Sequence, residues 1–538
     1  MTRPTTTGKA QDLITFTRST TGTALAKITY GEELVTNGDF SSGVSGWTAF
    51  RSATLSNVSN KLKIDNNQSI AGSSASQQIT TTVGKAYLFS CTVVSTTNNN
   101  ARLALGSASG DLGSGLSSDL GQLSALSAGN YTIIFTATTT GTWVVVSPQS
   151  LGATAVFDNI SVKEVLYDQP DGTLQLINHP INKPRIEYDA SGNCLGLLME
   201  EEKTNLLPQS IANADWQKID VSITENFATA PDESSTAYKI SETTTNAIHY
   251  AQQINIQFTS GITYTESLIA KAGTNSVVQL LGTSSIFGNL AWANFDLSDG
   301  TIGSKGAEAN AAIKPLGNGW YRCSLTMTAT VSNSATAGFI ILVPNKTYPR
   351  APTYQGNSDN HIYAWGIQTE AGSFPSSYIP TSGSAATRAD DLASLAVSKF
   401  GYNQNQGSVV VESDFFGGTD TSALCYIGED TSDRIVLYYS NQNLSFQVKS
   451  SGATQASKSL SGQRNKAAYR YKLNDMNLAG NGDTTVAETS ANLLGGTQNN
   501  IYIGSYYHNA GAHLNGHIKS IKYYPVGLSN AQLQALTV

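Results

Sequence analysis

Charged residues and cysteines are both scarce in this chain. Asp, Glu, Lys and Arg make up 13% of its 538 residues, about half the share that is usual in soluble proteins. No dense cluster of Lys and Arg offsets the net charge of −7, which argues against a nucleic-acid-binding protein. The cysteines lie too far apart for a Cys-x-x-Cys pair or a recognisable disulfide framework, so we expect free, buried thiols. The four are Cys91, Cys194, Cys323 and Cys425.

Long apolar segments are absent as well. No stretch approaches the ~20 apolar residues of a membrane-spanning helix. The N-terminal sequence, MTRPTTTGKAQDLITF, lacks the apolar segment of a signal peptide. We therefore expect no membrane insertion and synthesis in the cytoplasm of the producing cell.

Alternating apolar and polar residues, rich in Thr, Val, Ile and Tyr, fill the chain instead. Examples are YTIIFTAT from Tyr131 and IVLYY from Ile435, and turn sequences such as Asn37-Gly38 separate such segments. Alternation with frequent turns, without intervening helical patterns, predicts antiparallel β-sandwiches rather than βαβ units. The length predicts about three or four domains. The expected fold class is therefore all-β, with several sandwich domains in tandem.

An internal repeat is visible in the order of the motifs. A segment ending at Trp47 and a segment ending at Trp216 are each followed by a Gly-x-x-Tyr strand opening, at Gly84–Tyr87 in the first case and Gly261–Tyr264 in the second. A turn with Gly and Asn and an alternating closing strand follow in both. The shared order and similar spacing predict two divergent copies of one sandwich module.

The predicted domain order follows from these patterns. We expect an N-terminal attachment segment, an inserted first sandwich, a short β connector, a second sandwich, a linker and a final β domain. Their boundaries are 1–31, 32–165, 166–202, 203–390, 391–404 and 405–538. The acidic run Glu200-Glu201-Glu202 in the connector is expected to be solvated, and Ser529 is predicted to cap a short C-terminal helix.

Three sets of motifs resemble known families. NGDF…GW at Asn37–Trp47, closed by FDNISVKEV, resembles the carbohydrate-binding jelly-roll modules of bacterial polysaccharide-degrading enzymes and phage fibres. A second set resembles motifs that recur in phage tail and virion proteins, and comprises LITFTRSTTGT, PRIEYD…GLLMEEEKTNLL, FDLSDGTIG, GNGWYRCSLT and WGIQTEAGSFPSSYIPTSGSAATRADD. Residues 405–538 close with YIGSYYHNAGAHLNGHIKSIKYYPVGLSNAQLQAL and are similar to the concanavalin A-like lectin and glucanase sandwich of laminin-G type.

Together these resemblances imply a phage virion structural protein, a tail-fibre or spike-type subunit that adheres to glycans of the host surface. Such a protein is made in the host cytoplasm and leaves by lysis within the virion, which is one explanation for the missing signal peptide. A signal-independent secretion route is the alternative. Its expected partners are copies of itself, as a homotrimer, other virion proteins and the host glycan. Two alternatives stay open: a ligand-free protein of the capsid surface or tail tip, and a polysaccharide depolymerase.

The sequence contains none of the common catalytic motifs. A His-Glu-x-x-His pair, a Gly-x-Ser-x-Gly elbow and a phosphate-binding loop are all missing, and residues 405–538 lack the Glu-x-Asp-x-x-Glu pattern of the lectin-like family's hydrolases. The nearest carboxylates, Glu412 and Asp414, are predicted on one sheet face roughly 7 Å apart, a separation that permits glycoside hydrolysis. We nevertheless expect no enzymatic activity, because polar residues on an alternating strand normally face water. His513 and His517 flank a turn and are expected to be exposed.

Aromatic side chains are the candidate sugar-binding residues, because a pyranose stacks its apolar C–H face on Trp or Tyr. The candidates are Trp143 and Tyr87 in the first sandwich and Tyr438, Tyr439, Tyr506 and Tyr507 in the last domain. Core packing is the alternative for each, and Trp47 and Trp320 are predicted to be core residues. No motif requires a cofactor. The resemblances imply one structural Ca²⁺, for which Asp39 and Asp158 are the candidate ligands.

Overall fold

Antiparallel β-strands make up almost all of the regular structure. The computed structural model describes residues 13–66, 73–108, 110–112, 118–213, 215–417, 421–507 and 512–538. Within these ranges the α-helices are Ser284–Phe287 and Asn530–Thr537, and neither is long and apolar enough to cross a membrane. The all-β prediction is confirmed. The C-terminal helix is also confirmed, since the Ser529 hydroxyl accepts a hydrogen bond from Gln532 N.

The strands are numbered in chain order. Those up to the second sandwich are β1 Thr15–Thr17, β2 Gly22–Glu33, β3 Thr48–Phe50, β4 Ala53–Asn57, β5 Leu62–Asn66, β6 Ser74–Thr80, β7 Ala86–Thr96, β8 Ala101–Gly106, β9 Gly121–Leu126, β10 Gly129–Thr136, β11 Gly141–Pro148, β12 Thr154–Tyr167, β13 Thr173–His179, β14 Ile186–Tyr188, β15 Cys194–Met199 and β16 Lys203–Asn205. Those of the second sandwich are β17 Gln217–Ile219, β18 Val221–Ala228, β19 Ala237–Glu242, β20 Asn246–Ala247, β21 His249–Phe258, β22 Thr263–Ala272, β23 Val277–Leu281, β24 Trp292–Asp296, β25 Thr301–Lys305, β26 Asn310–Gly317, β27 Trp320–Thr328, β28 Asn333–Leu342, β29 Tyr354–Gln355 and β30 His361–Ala371.

The remaining strands lead into and form the C-terminal sandwich. They are β31 Ala386–Arg388, β32 Leu392–Ala396, β33 Gln406–Ser413, β34 Thr421–Gly428, β35 Arg434–Ser440, β36 Asn443–Ser450, β37 Ala453–Leu460, β38 Lys466–Lys472, β39 Asn477–Gly480, β40 Asp483–Thr484, β41 Asn500–Ile503 and β42 Gly516–Tyr524. Short 3₁₀ turns occur at Thr97–Asn99 and Val397–Lys399.

The chain divides into two compact units. The larger unit comprises the chain up to Leu25, Ile181–Ile223 and Ile240–Val538, and the smaller unit comprises Ala26–Pro180 and Thr224–Lys239. The smaller unit contains the first sandwich, while the larger unit contains most of the second sandwich and the whole C-terminal one. The first sandwich is thus inserted in the chain of the larger unit.

The first two sandwiches share one strand order. In the first, β4-β5-β12-β7-β10 faces β3-β6-β11-β8-β9, and β2 and β13 extend the former sheet beyond β12. In the second, the corresponding orders are β18-β19-β30-β22-β27 and β17-β21-β28-β23-β24, with β26 and β25 added at the edges. The match, strand for strand, supports the predicted internal repeat.

A tyrosine hydrogen bond recurs at the same point of both copies. The Tyr87 hydroxyl accepts from Thr82 N at 2.8 Å, and the Tyr264 hydroxyl accepts from Thr259 N at 2.9 Å. The glycine of each Gly-x-x-Tyr motif adopts a left-handed conformation, which glycine tolerates without steric cost. These are Gly84, with φ of 81°, and Gly261, with φ of 82°. The motif found in the sequence is therefore a turn that fixes the tyrosine at the start of its strand.

The C-terminal sandwich takes four strands from outside its predicted range of 405–538. One of its seven-stranded sheets has the order β1-β32-β41-β34-β35-β36-β37, and the other has the order β14-β15-β42-β33-β38-β39-β40. β1 comes from the predicted attachment segment, β14 and β15 come from the predicted connector, and β32 lies inside the predicted linker 391–404. These strands have three to six residues, too few for a clear alternation. β1, β15 and β32 pair with strands distant in sequence, and β14 joins the sheet through β15.

Five charged side chains form a buried ion cluster in the larger unit: Arg18, Arg185, Glu200, Arg388 and Asp391, each at most 2% exposed. The Asp391 carboxylate pairs with Arg18 at 3.1 Å and also with Arg185. Glu200 pairs with Arg185 at 2.8 Å and with Arg388 at 3.5 Å. Burial alone would raise the pKa of Glu200, but the two arginines hold it well below its usual range. The prediction that Glu200 is solvated is therefore wrong.

Each residue of the ion cluster lies in the second set of motifs identified in the sequence. The motifs are LITFTRSTTGT for Arg18, PRIEYD…GLLMEEE for Arg185 and Glu200, and ATRADD for Arg388 and Asp391. Ser377, from FPSSYIP, adds two hydrogen bonds, since its hydroxyl and its amide donate to Glu200 at 2.7 and 2.8 Å. These motifs therefore join distant chain segments inside the larger unit, which gives the set a structural role.

Candidate functional site

Five tyrosines gather on one outer surface of the C-terminal sandwich, which we call the tyrosine face. Tyr426 lies on β34, Tyr438 on β35 and Tyr502 on β41, while Tyr506 and Tyr507 follow β41. Alternation along the strands turns the first three away from the core, because the residues beside them enter it. Those core residues are Cys425, Ile427, Leu437, Tyr439, Ile501 and Ile503.

The rings of the tyrosine face pack against one another. Tyr506 lies edge-on to Tyr426, with ring centroids 5.5 Å apart and planes at 83°, and its centroid is 6.5 Å from that of Tyr438. Tyr502 contacts Tyr426 at 6.1 Å and Tyr507 at 5.2 Å. Tyr426 is consequently 1% exposed, whereas the other four tyrosines are half-buried. Mutual packing thus fixes four partly exposed aromatic rings.

Polar and cationic side chains lie next to these rings on neighbouring strands. Ser445 lies opposite Tyr438 in the register of β35 and β36, and Gln447 is two residues further along β36. The Arg434 guanidinium lies 5.9 Å from the Tyr506 ring centroid and donates from Nη2 to Gln447 Oε1 at 2.7 Å. Aromatic surfaces beside fixed donors and acceptors suit a ligand that carries both C–H and hydroxyl groups.

The hydroxyls of Tyr502 and Tyr506 on this face remain protonated at physiological pH. Burial raises the pKa of Tyr502 and of Tyr506 to about 12. For Tyr506 the neighbouring Tyr438 acts in the same direction and Arg434 opposes it. The phenols can therefore donate hydrogen bonds as well as accept them.

Three of the four sugar-binding candidates predicted in this domain belong to the tyrosine face: Tyr438, Tyr506 and Tyr507. Tyr439 does not belong to it. Its ring is 3% exposed and stacks on Phe415 in the core with centroids 5.3 Å apart. The prediction of Tyr439 as a sugar-binding residue is wrong, because neighbouring residues on a strand point to opposite faces and Tyr438 takes the outer one.

The candidates of the first sandwich also separate into a core and a surface residue. Tyr87 is 3% exposed and stacks on Phe135 at 5.6 Å, so its prediction as a sugar platform is wrong. Trp143 is half-buried on the outer side of β11, since Val144 and Val146 of that strand point into the core. Among the described residues of the smaller unit, its ring contacts one aromatic partner, Phe50, with ring centroids 6.0 Å apart. The predicted core tryptophans are confirmed: Trp47 is 7% exposed and Trp320 is 4% exposed.

Sequence reasoning missed Tyr426, Tyr502 and Arg434. Tyr502 has a local signal, because Ile501 and Ile503 on either side mark it as outward-facing in an alternating strand. Tyr426 is adjacent to it only through the pairing of β34 with β41, in which the two residues are direct partners. That pairing between distant segments has no local signal in the sequence.

The histidines expected at an exposed turn are buried, so that prediction is wrong: His513 is 1% exposed and His517 is 2% exposed. His517 Nδ1 lies 2.9 Å from Asp414 Oδ1, and Nε2 lies 2.7 Å from Glu187 Oε2. Burial opposes protonation, but the two carboxylates raise the pKa of His517 to about 9. Asp414 is therefore an ion-pair partner of an imidazolium that links β14 to β42, rather than a free acid beside Glu412.

The candidate calcium ligands do not fit a cation site. Asp39 Oδ1 accepts from the amide and the hydroxyl of Ser41, at 3.2 and 3.0 Å. Asp158 Oδ2 pairs with Lys61 Nζ at 3.1 Å. Over the part of the chain that the structure describes, no group of three or more His, Cys, Asp or Glu side chains is placed to hold a metal ion. The ammonium group of Lys61 thus occupies the position beside Asp158 that a calcium ion would need.

Comparisons with known proteins give only distant similarities. No family model and no curated protein sequence matches the chain. Among solved structures, the CBM40 module of the Ruminococcus gnavus IT-sialidase bound to α2,3-sialyllactose is 15% identical, with a TM-score of 0.23, and the match covers 25% of this chain and 84% of that one. The CBM22 tandem of Paenibacillus barcinonensis Xyn10C is 11% identical, with a TM-score of 0.21 and coverages of 65% and 99%. Domains LG4–5 of the mouse laminin α1 chain are 10% identical, with a TM-score of 0.18 and coverages of 60% and 94%. The identities and TM-scores are too low to assign a ligand from these proteins. The assignment to the β-sandwich class rests on the sheets of this chain itself.

Proposed function

We propose that this chain is an adhesion protein that binds glycans through the tyrosine face. The observation that supports this proposal is the set of four half-buried tyrosine rings on one outer sheet face, with Ser445, Gln447 and Arg434 beside them. The C–H face of a pyranose packs on such rings, and the neighbouring donors and acceptors bind its hydroxyls. Tyr426 supports the site from beneath, because its buried ring contacts both Tyr502 and Tyr506.

Single-residue variants of the full chain test this proposal on a glycan array and by calorimetry with the glycans that bind. Tyr438→Ala and Tyr506→Ala each remove a ring from the face, and each is expected to weaken binding by about tenfold, the equivalent of ~1.4 kcal/mol. Tyr363→Ala, which removes a half-buried tyrosine of the second sandwich, is the matched control and is expected to bind like the wild type. Unchanged affinity in both tyrosine-face variants would rule out this site.

In the wider proposal the chain is a phage virion subunit of tail-fibre or spike type. Its support is the motif resemblance, and a homotrimer is the expected assembly. A single weak glycan contact, in roughly the millimolar range, gains avidity when several copies bind one cell surface. Analytical ultracentrifugation of the chain and antibody labelling of particles by electron microscopy test the assembly and the location. A monomer that is absent from particles contradicts both.

Binding without turnover is part of the proposal. Incubation of the protein with host polysaccharide is expected to release no reducing sugar. Release that is lost in Glu412→Gln would instead favour a depolymerase. Tight association with particles together with no hit on the glycan array would favour a ligand-free structural protein.

A further inference from the structure

Two cationic side chains lie side by side at one end of the tyrosine face. Arg434 on β35 and Lys449 on β36 are direct partners in the register of these strands. Both lie on the outer surface, because Ile435 and Val448 beside them enter the core. Arg434 and Lys449 are half-buried, so their charges lie next to the rings rather than far out in solvent.

Neither cation has an acidic partner among the described residues. The ion pairs of the structure include Lys458 on the adjacent strand β37, which pairs with Glu488 at 3.4 Å, but not Arg434 or Lys449. Like charges directly opposite each other on paired strands are unfavourable. In a chain with 13% charged residues, an uncompensated cationic pair next to an aromatic surface therefore calls for an explanation.

The acids of the preceding loop do not provide the missing partner. Their carboxylates accept hydrogen bonds from backbone amides, and none of them forms an ion pair with Arg434 or Lys449. Glu429 Oε1 accepts from Asn499 N and Asn500 N, Asp430 Oδ1 accepts from Ser432 N and Asp433 N, and Asp433 Oδ1 accepts from Ser451 N and Gly495 N.

The Arg434 guanidinium is held in a defined orientation. It donates from Nη1 to Thr431 O at 3.2 Å and from Nη2 to Gln447 Oε1 at 2.7 Å, and it lies over the Tyr506 ring. Each of its Nη atoms carries a second N–H that these two bonds leave over. A fixed, planar guanidinium with hydrogen-bonding capacity left over is suited to a carboxylate, phosphate or sulfate group.

We propose that the ligand of the tyrosine face is an anionic saccharide. This inference rests on the proposed glycan binding and adds to it the charge of the sugar. The anionic group of the saccharide pairs with Arg434 and Lys449, while the sugar ring packs on Tyr506 and Tyr438. The two cations thus select against neutral glycans that would pack equally well on the rings.

Paired oligosaccharides test the inference with the full-length protein. The probes are an acidic oligosaccharide that carries uronic acids and the same oligosaccharide after reduction of its carboxyl groups. The wild type is expected to bind the acidic form at least about tenfold more tightly in 20 mM salt, and the difference is expected to shrink at 500 mM salt, where the Debye length falls to roughly 4 Å. Sulfated and phosphorylated forms of the reduced oligosaccharide then identify which anionic group is preferred.

Charge-neutral variants locate the effect. Arg434→Gln combined with Lys449→Gln is expected to lower the affinity for the acidic form to that for the reduced form, while Lys472→Gln, an exposed lysine on the opposite sheet, retains the preference. Equal binding of both forms by the wild type, with weaker binding by Tyr506→Ala, would overturn the inference and leave glycan binding intact. Wild-type protein that binds neither these probes nor any array glycan would overturn both.

Discussion

The two repeated sandwiches have the same strand order but differently composed interiors. Two residues after the shared tyrosine, the first copy has Phe89, which is fully buried in an apolar core. The second copy has Glu266 at the same place, 1% exposed. Its carboxylate accepts from Gly338 N at 2.8 Å and from the Thr369 hydroxyl at 3.3 Å. One strand order therefore tolerates an aromatic ring or a carboxyl group at an equivalent core position.

The copies differ again where their chains end. The segment after β30, the closing strand of the second copy, contains Ser377, which donates to Glu200 of the ion cluster. The last strand of the first copy, β12, instead contributes Val165 to a small apolar group with Ala26 and Ile177. The second copy thus depends on buried charge for its connection to the rest of its unit, whereas the first depends on apolar packing.

The largest expected effect comes from removing one charge of the ion cluster. Asp391→Asn keeps the shape of the side chain but leaves three buried arginines with Glu200 as their only acid. Breaking a buried ion pair in this way costs about 3–5 kcal/mol. Hydrogen–deuterium exchange of the full chain is expected to show faster exchange in β15, β31 and β32 of the larger unit and unchanged exchange in β7 of the first sandwich.

A surface aspartate of the same unit provides the control for this experiment. Asp483→Asn removes an exposed carboxylate whose partner is Arg464, 2.6 Å away, and it is expected to change stability by less than about 1 kcal/mol. Equal loss of protection in the first and the second sandwich of the Asp391→Asn variant would mean that the ion cluster stabilises the two copies to the same extent.

The second prediction concerns the carboxyl group that only the second copy contains. Burial raises the pKa of Glu266 from 4.5 to about 8, so folding favours the protonated form. The free energy of unfolding of the wild type therefore decreases as the pH rises from 4.5 to 8 and changes little from this group at higher pH. Glu266→Gln imitates the protonated acid and is expected to be more stable than the wild type by about 3 kcal/mol at pH 7, and by less than about 1 kcal/mol at pH 5.

Chemical denaturation at pH 5, 7 and 9 measures this difference. Glu308→Gln, at an exposed position of the same sandwich, is the control and is expected to follow the wild type at every pH. A Glu266→Gln variant with the same pH profile as the wild type would show that Glu266 is ionised in the folded protein, and that the two interiors differ less in polarity than their geometry implies.

The sequence was sufficient for the fold class and the repeat because both rest on local signals. Alternation gives the long strands, and Gly-x-x-Tyr marks a turn that recurs with the same hydrogen bond in both copies. β1 and β14 were not assigned to the C-terminal sandwich, because three residues carry no period that could show which sheet they join. Glu200 was expected in solvent for a related reason: its partner Arg388 lies far away in the sequence, Arg185 reaches it only when the chain folds back, and an acidic run without visible partners is normally solvated.

The candidate site was predictable to a similar extent. Alternation required that one of Tyr438 and Tyr439 face outward, but it could not decide which one, because that depends on the register of β35 against its neighbours. The cationic pair was not visible either, since Arg434 and Lys449 become neighbours only when β35 and β36 pair. Single residue types on single strands were therefore predictable, whereas the combinations that define a binding surface required the sheet.

The smallest expected effect tests what the two copies share. Tyr87→Phe and Tyr264→Phe each remove the acceptor of one backbone amide, Thr82 N or Thr259 N, while the rings keep their packing. Loss of such a hydrogen bond costs about 1–2 kcal/mol. Because the two bonds have nearly equal lengths, 2.8 and 2.9 Å, the losses are expected to agree within about 0.5 kcal/mol when measured by exchange of the amides in β7 and in β22. A loss confined to one copy would mean that the shared turn stabilises only that sandwich, and that the repeat is equivalent in topology but not in energetics.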